Sequence, residues 1–492
     1  MKISTTQLLF TLTFLVGLNG FIFSQVKTSF LKDCLWIKGN EANAFSVDSI
    51  NSNSENLLKK TLNFNSVVDF SKDKINKKYK NLITKKGSLF VVFRSNHEDE
   101  NILLTVQRGI TKSILTTKKM QCDKDILLNK GNPKTGVLVS YLFNKNSLLG
   151  KRNGSLAFDD LIYNDTEFKN QLIELIYIPN YLNDKEKNTV ETYLAIKYGI
   201  SLNDENNYYN AKGDKVWDAK ENKEFNKHVT GIGREDVLLL NQKQSSNSLQ
   251  DGLTIGIDKI KLSNGKNKSL LSDNTFIMWG DNGKNTLLEK QTDNAEKRIK
   301  RIWKVIPSST DGLTYKTQIK FDKKRMLFER SATAPDRDFM WIAIDSTQST
   351  EFNYTNAKYI KATSNDEKEI VFDNVKFNTK ANYLFTVVKA PEYLISQMNS
   401  TSKTDSNNQP SSDYVLFPNP VVANEKFAIQ FNLNDPSEVS IQITDVNGKI
   451  IKSKDLGTID KSLYNESLSA SGTYLVLVSI NGIVEANKLI VK

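Results

Sequence analysis

Apolar residues in this chain come in short runs of strand length set between turn residues, and only one stretch carries helical spacing. Ser88–Phe93, Ile102–Gln107, Gly136–Phe143 and Leu172–Ile178 are such runs. Leu253–Ile257, Thr275–Trp279, Arg301–Val305, Tyr315–Phe321 and Tyr383–Val388 continue them. Tyr315, Thr317, Ile319 and Phe321 alternate with Lys316, Gln318 and Lys320, the pattern of a sheet with one wet face. In the helical stretch Asn183 can cap, Glu186 stands three residues on, Val190, Leu194 and Tyr198 share a face, and Gly199 can close the end. A helix is therefore predicted over 184–198.

At 492 residues the chain exceeds a single typical domain. Residues 1–24 read as a secretory signal peptide: Lys2 precedes an uncharged stretch from Leu8 to Phe23, and small Ser24 stands before the cut. No transmembrane span is expected after that cleavage, and no cysteine at the cut offers a lipid anchor. Residues 25–200 read as a jelly-roll-like sandwich with a closing helix, 201–390 as a β-rich domain and 391–412 as a linker too polar to form a core. In residues 413–492, Phe427, Ile429, Phe431 and Leu433 alternate, and strands leading into Asn447-Gly448 and Asn481-Gly482 predict two hairpins and a small immunoglobulin-like sandwich. The fold class expected is all-β and multidomain. The polar linker predicts few contacts between the terminal unit and the rest, hence independent folding.

The terminal unit resembles the type A C-terminal sorting domain of proteins exported by the type IX secretion system of Bacteroidota. Four blocks in order carry the resemblance: Tyr414-Val-Leu-Phe417-Pro418-Asn419-Pro420, Val439-Ser-Ile-Gln-Ile-Thr-Asp445-Val-Asn-Gly448, Ser471-Gly472-Thr-Tyr474-Leu-Val-Leu-Val478 and Lys488-Leu-Ile-Val-Lys492. The resemblance implies an address read by the outer-membrane translocon, removed by a sortase-like signal peptidase, with the cargo released or attached to surface lipopolysaccharide. Residues 175–200 resemble the closing strand and helix of a concanavalin A-like, laminin-G-like sandwich, with Leu62–Phe70 and Ser88–Phe93 placed as its early strands. Gly231-Ile-Gly-Arg-Glu-Asp236, Phe276–Asp281 and Arg301–Lys304 resemble pieces of the domain of unknown function that commonly follows it, a family that brings no established catalytic residues.

Composition disfavours much enzymology, since two histidines and two cysteines leave little for zinc sites or His-dependent triads. Cys34 and Cys122 can form one bridge after export or remain two buried thiols. His97-Glu98 opens like a zinc-protease motif, but Asn101 stands where the second ligand belongs. His228 reads as a surface or structural histidine. Gly231-Ile-Gly233 lacks the third glycine of a dinucleotide loop and reads as a turn or bulge. Asp159-Asp160 and Glu235-Asp236 read as surface carboxylates. Asp281-Asn282-Gly283-Lys284-Asn285 has oxygen ligands suited to Ca2+, and a turn explains it equally well. Trp279, Trp303 and Trp341 sit in strand-like runs and are assigned to cores, whereas Trp217, between Lys215 and Asp218, is the candidate glycan contact.

The formal charge of +11 is dominated by lysine, densest over Ser71–Lys86. Without a nucleic-acid motif this run reads as a solvated loop, and nucleic-acid binding ranks last. Two functional classes remain: a secreted or cell-surface non-catalytic binding or adhesion protein, with a surface glycan as candidate ligand, and a polysaccharide-degrading enzyme on the concanavalin-like sandwich. The second lacks the Glu-x-Asp-x-x-Glu strand that such hydrolases use to present paired carboxylates.

Overall fold

The computed structural model describes residues 31, 33–39, 60–68, 78–96, 98–122, 126–127, 133–144, 154–158, 170–249, 252–290, 296–326, 338–347, 351–392, 394–395 and 414–492. The leader, His97, Asp159-Asp160, most of the linker and part of the lysine run lie outside them. The described chain is nearly all antiparallel β-structure with one long helix.

The N-terminal unit is a two-layer sandwich. A four-stranded sheet holds Leu35–Lys38, Asn170–Ile178, Gly87–Ser95 and Val137–Phe143, and a six-stranded sheet faces it. Between them Phe93, Leu104, Val106, Leu115, Leu156 and Leu175 form one core. The lysine run is partly a strand: Lys78–Ile83 lies at the edge of the six-stranded sheet, where exposed lysines guard an edge against further pairing. Cys34 and Cys122 are not bridged to each other, and each packs against a different core.

The helix forms over the expected residues, Asp184–Tyr198. The Asn183 side chain accepts from the Glu186 N–H, the Glu186 carboxylate accepts from the Asn183 N–H, and Gly199 closes the end at φ 66°. It does more than close the first sandwich. Helix residues from Thr189 to Tyr198 are buried on several faces, because Val190, Leu194 and Tyr198 share a core with Ile173 and Ile176 of the first unit and Tyr208, Trp217, Phe276 and Met278 of the second. Asn63 and Asn65 add a polar seam across the same junction, donating to the helix carbonyls of Ile196 and Lys197 and to Ser245 and Gln242.

The middle unit is a second sandwich, a nine-stranded sheet over a five-stranded one, with Trp279, Trp303, Phe321, Phe372 and Phe385 buried between them. Tyr315, Thr317, Ile319 and Phe321 point inward as their alternation predicts. Gly231 and Gly233 lie inside the strand Lys227–Glu235 and form no turn; a Cβ at either would stand 2.4 Å from Met278 Sδ or 2.7 Å from a Phe276 ring carbon. The glycines make room for side chains of the neighbouring strand.

The terminal unit turns on the 20-residue strand Lys426–Asp445. Register shifts let its first half pair with Tyr414–Phe417 and its second with Gly472–Ile480, while Ile450–Ser467 follows it throughout. Phe427, Ile429, Ile441, Ile443, Val476 and Leu489 fill the space enclosed. The expectation of few contacts with the rest of the chain is corrected: Leu477 and Val484 are buried with Trp341, Ala343, Tyr359 and Val388 of the middle unit and with Ile395 from the segment assigned to the linker, and Lys361 N–H donates to Gly482 O at 3.3 Å. The polarity of a linker says nothing about the surfaces of the units it joins.

Candidate functional site

The first and last sorting blocks meet at one edge of the terminal unit. Beyond Tyr414–Phe417 the chain runs through Pro418, Asn419 and Pro420 and lies along the last strand, Ile483–Val491. The Asn419 side chain donates to Lys488 O at 2.5 Å and accepts from Ile490 N–H at 3.0 Å. Val421 N–H then donates to Ile490 O, Lys492 N–H to Val421 O and Ala423 N–H to Lys492 O. The terminal Lys-Leu-Ile-Val-Lys strand is therefore clasped by the Phe-Pro-Asn-Pro block, which satisfies an edge that would otherwise be open. Tyr414 is buried at the start of this clasp, its hydroxyl accepting from Asn487 at 2.6 Å, and burial pushes the phenol far above its ordinary pKa.

The two middle blocks build turns. Asp445 Oδ1 accepts from the N–H groups of Asn447 and Lys449, and Gly448 takes φ 80° to complete the loop. Gly472 opens the strand Gly472–Ile480 at φ 154°, and the Tyr474 ring packs inward while its hydroxyl donates to Ala470 O. Ile480 and Ile483 pair across Asn481 and Gly482, at φ 50° and 79°, a two-residue hairpin with both central residues left-handed. Phe417 is exposed, as are Val415 and Leu463.

Trp217 does not provide a sugar platform. It is 1% exposed, paired with Tyr208 in a short hairpin, and its indole N–H donates to Asn226 Oδ1 at 2.7 Å. The charged neighbours that suggested exposure are a separate ion pair, Lys215–Asp218, with Asp218 also capping the turn that follows. Trp279, Trp303 and Trp341 are buried, as their strand setting predicts.

The oxygens proposed for Ca2+ are occupied by protein donors. Asp281 takes His228 Nδ1 at 2.7 Å and Gly283 N–H at 2.7 Å, with Arg301 at 3.7 Å; Asn282 Oδ1 accepts from Lys284 and Ile302 N–H. His228 is thus a partner of a buried aspartate. Among the described residues no group of three or more His, Cys, Asp or Glu side chains is arranged to hold a metal ion.

Glu174 has no place in the sequence reading, and the surface expectation for Glu235 is corrected, since both are buried. Glu174 sits in the continuous apolar run Leu172–Ile178 and accepts from Trp36 Nε1 at 2.6 Å, Tyr193 OH at 2.9 Å, Lys197 Nζ at 2.6 Å and Tyr198 OH. Burial alone would raise its pKa; the charges of Lys197 and Lys38 and the hydrogen bonds outweigh that and hold it below the ordinary value. A lone charge inside an apolar strand was the available signal, since such a group must be partnered. Glu235, expected at the surface, is 2% exposed, accepts from Ala211 N–H, and is pushed up to about 7 by burial.

Comparison with known proteins agrees with the terminal assignment. Residues 415–492 match the secretion system C-terminal sorting domain, and residues 186–382 match a domain of unknown function, DUF8202, whose range includes most of the helix. No curated protein matches the chain. Among solved structures, the CARDB domain of a Pyrococcus furiosus protein in complex with di-metal ions is 14% identical over 18% of this chain and 100% of that one, TM-score 0.12. The BSP domain of a biofilm associated protein is 8% identical over 82% and 75%, TM-score 0.15, and the CBM32 and M60 catalytic domains of Clostridium perfringens ZmpB are 9% identical over 89% and 52%, TM-score 0.16. The sorting domain makes this a type IX secretion cargo, exported to the cell surface or the medium and engaged by that machinery on the way. Among the described residues no helix is long and apolar enough to cross a membrane.

Proposed function

We propose that the protein is a non-catalytic binding or adhesion protein of a member of the Bacteroidota, presented at the cell surface or released, with a glycan as its ligand class. Its N-terminal sandwich is read as concanavalin A-like, and its sorting domain as the part removed by a sortase-like signal peptidase, with lipopolysaccharide attachment as one fate of the product. The single observation carrying the reading, for its export and delivery to the surface or medium, is the sorting domain at residues 415–492. The non-catalytic part is supported by buried carboxylates of the upstream units that are engaged by protein donors: Glu174 by Lys197, Glu235 by the Ala211 N–H, Asp281 by His228 and Asp345 by the Asn353 N–H.

The test is to assay the purified chain from residue 25 onward for glycan binding and for reducing-sugar release. Saturable glycan binding without sugar release is expected. Sugar release abolished by one carboxylate substitution would overturn the reading.

A further inference from the structure

The strand Asp338–Asp345 is apolar on both faces: Met340, Ile342 and Ile344 enter the middle core, while Trp341 and Ala343 face the other way. Tyr359 and Val388, on the strands to either side, continue that outer face. A sheet apolar on both sides must be covered on both sides. The terminal unit has the matching property. In Gly472–Ile480, Tyr474, Val476 and Val478 point into its own core, and Leu475 and Leu477 point out. Leu477 and Ala486 are directly paired across strands, and Val484 lies on the same outer face.

The two outer faces are pressed together: Trp341 and Tyr359 are 0% exposed, Leu477 2% and Val484 1%. Small residues Ala343, Ala357 and Ala390 let the sheets approach. At the tip of the hairpin, Lys361 N–H donates to Gly482 O, and Ile483 reaches the middle core. The opposite face of the terminal unit, carrying Val415, Phe417 and Leu463, stays in solvent.

We infer that the middle unit is a receptor for the sorting domain, and that the two remain associated after the chain between them is cut. Severing the linker is then not sufficient to release the sorting domain; a second event must separate the apolar faces, and separation uncovers Trp341 and Tyr359.

The experiment uses the full chain from residue 25 to 492 with a specific protease site placed between 396 and 413. After complete cutting, the two fragments should co-elute in size-exclusion chromatography at about 1 μM. Leu477→Asp should weaken the association at least about tenfold, because it buries a charge against Trp341. Leu463→Asp, on the exposed face, should leave it unchanged. Separation of the unsubstituted fragments, each retaining its circular dichroism, overturns the inference. So does an unchanged dissociation constant for the Leu477→Asp fragments, measured by titrating one fragment with the other. If Leu477→Asp unfolds the terminal unit, Ala390→Arg on the receptor side decides: continued co-elution refutes the assigned face, and separation with both fragments folded supports it.

Discussion

Asn419 serves as a strand residue for Lys488, its side-chain amide donating to the Lys488 carbonyl and accepting from the N–H two residues further on. This geometry explains why two blocks some seventy positions apart belong to one signature. Asn419→Ala removes both bonds at an exposed site and is expected to destabilise the terminal unit by about 0.5–1.5 kcal/mol. Asn419→Asp should cost more, since a carboxylate would face a carbonyl. Urea denaturation followed by Tyr414 burial checks both, and an unchanged midpoint would contradict the clasp.

The hairpin at Asn481-Gly482 is a second test of the same unit. A Cβ at Gly482 meets nothing closer than 3.9 Å, so Gly482→Ala suffers only its positive φ, at about 1–2 kcal/mol. The loss should appear as a lower denaturation midpoint of the terminal unit with the upstream cores unaltered.

Much of this was legible because period-2 patterns and turn chemistry are local. Alternation at Tyr315–Phe321 and Phe427–Leu433, capping at Asn183 and Glu186, and both Asn-Gly hairpins follow from neighbouring residues alone. Exposure of Trp217 does not follow from its neighbours, because Lys215 and Asp218 describe the surface beside it and not the Asn226 that receives its N–H. The interface has a signal in the sequence: Phe339–Ile344 and Tyr474–Val478 are uninterrupted apolar runs, which period-2 reading of one buried face does not account for. Which surface would cover those residues depends on contacts far apart in sequence.

Two buried glutamates should give the protein opposite pH responses. The folded pKa of Glu174 is depressed, so its contribution is present above the unfolded value of 4.5 and lost as pH falls through the folded pKa. Glu174→Gln should therefore lower stability at neutral pH and flatten the acid limb. Glu235 is raised to about 7, so it is neutral and undemanding below 4.5, and stability falls as pH rises from 4.5 to about 7. Glu235→Gln should accordingly be more stable than the parent at pH 8, by up to about 3 kcal/mol. Denaturation midpoints at pH 4, 6 and 8 decide each sign.

Trp217→Ala should act as a core deletion. Loss of a buried indole that bridges the helix and the middle unit is expected to cost about 3–5 kcal/mol, with any ligand binding lost only in proportion to unfolded protein. Trp217→Phe should recover most of the packing but leave Asn226 Oδ1 without its donor. Wild-type stability of Trp217→Ala with selective loss of glycan binding would restore the exposed-platform reading.

Truncation after Ser412 separates the two roles of the terminal unit. As a sorting domain it carries the export address, so the truncated chain should cross the inner membrane and accumulate in the periplasm, as cell fractionation would show. As the cover of an apolar face, its loss should leave the upstream cores folded but expose Trp341 and Tyr359. The truncated protein should then bind a hydrophobic dye more strongly than the full chain, and its tendency to self-associate should rise with concentration. A Trp341→Gln substitution in the truncated chain should reduce both effects without restoring export, because that chain still lacks the terminal unit that carries the address. Normal delivery of the truncated chain to the surface without lysis would refute the sorting role, whereas unchanged dye binding would refute the cover.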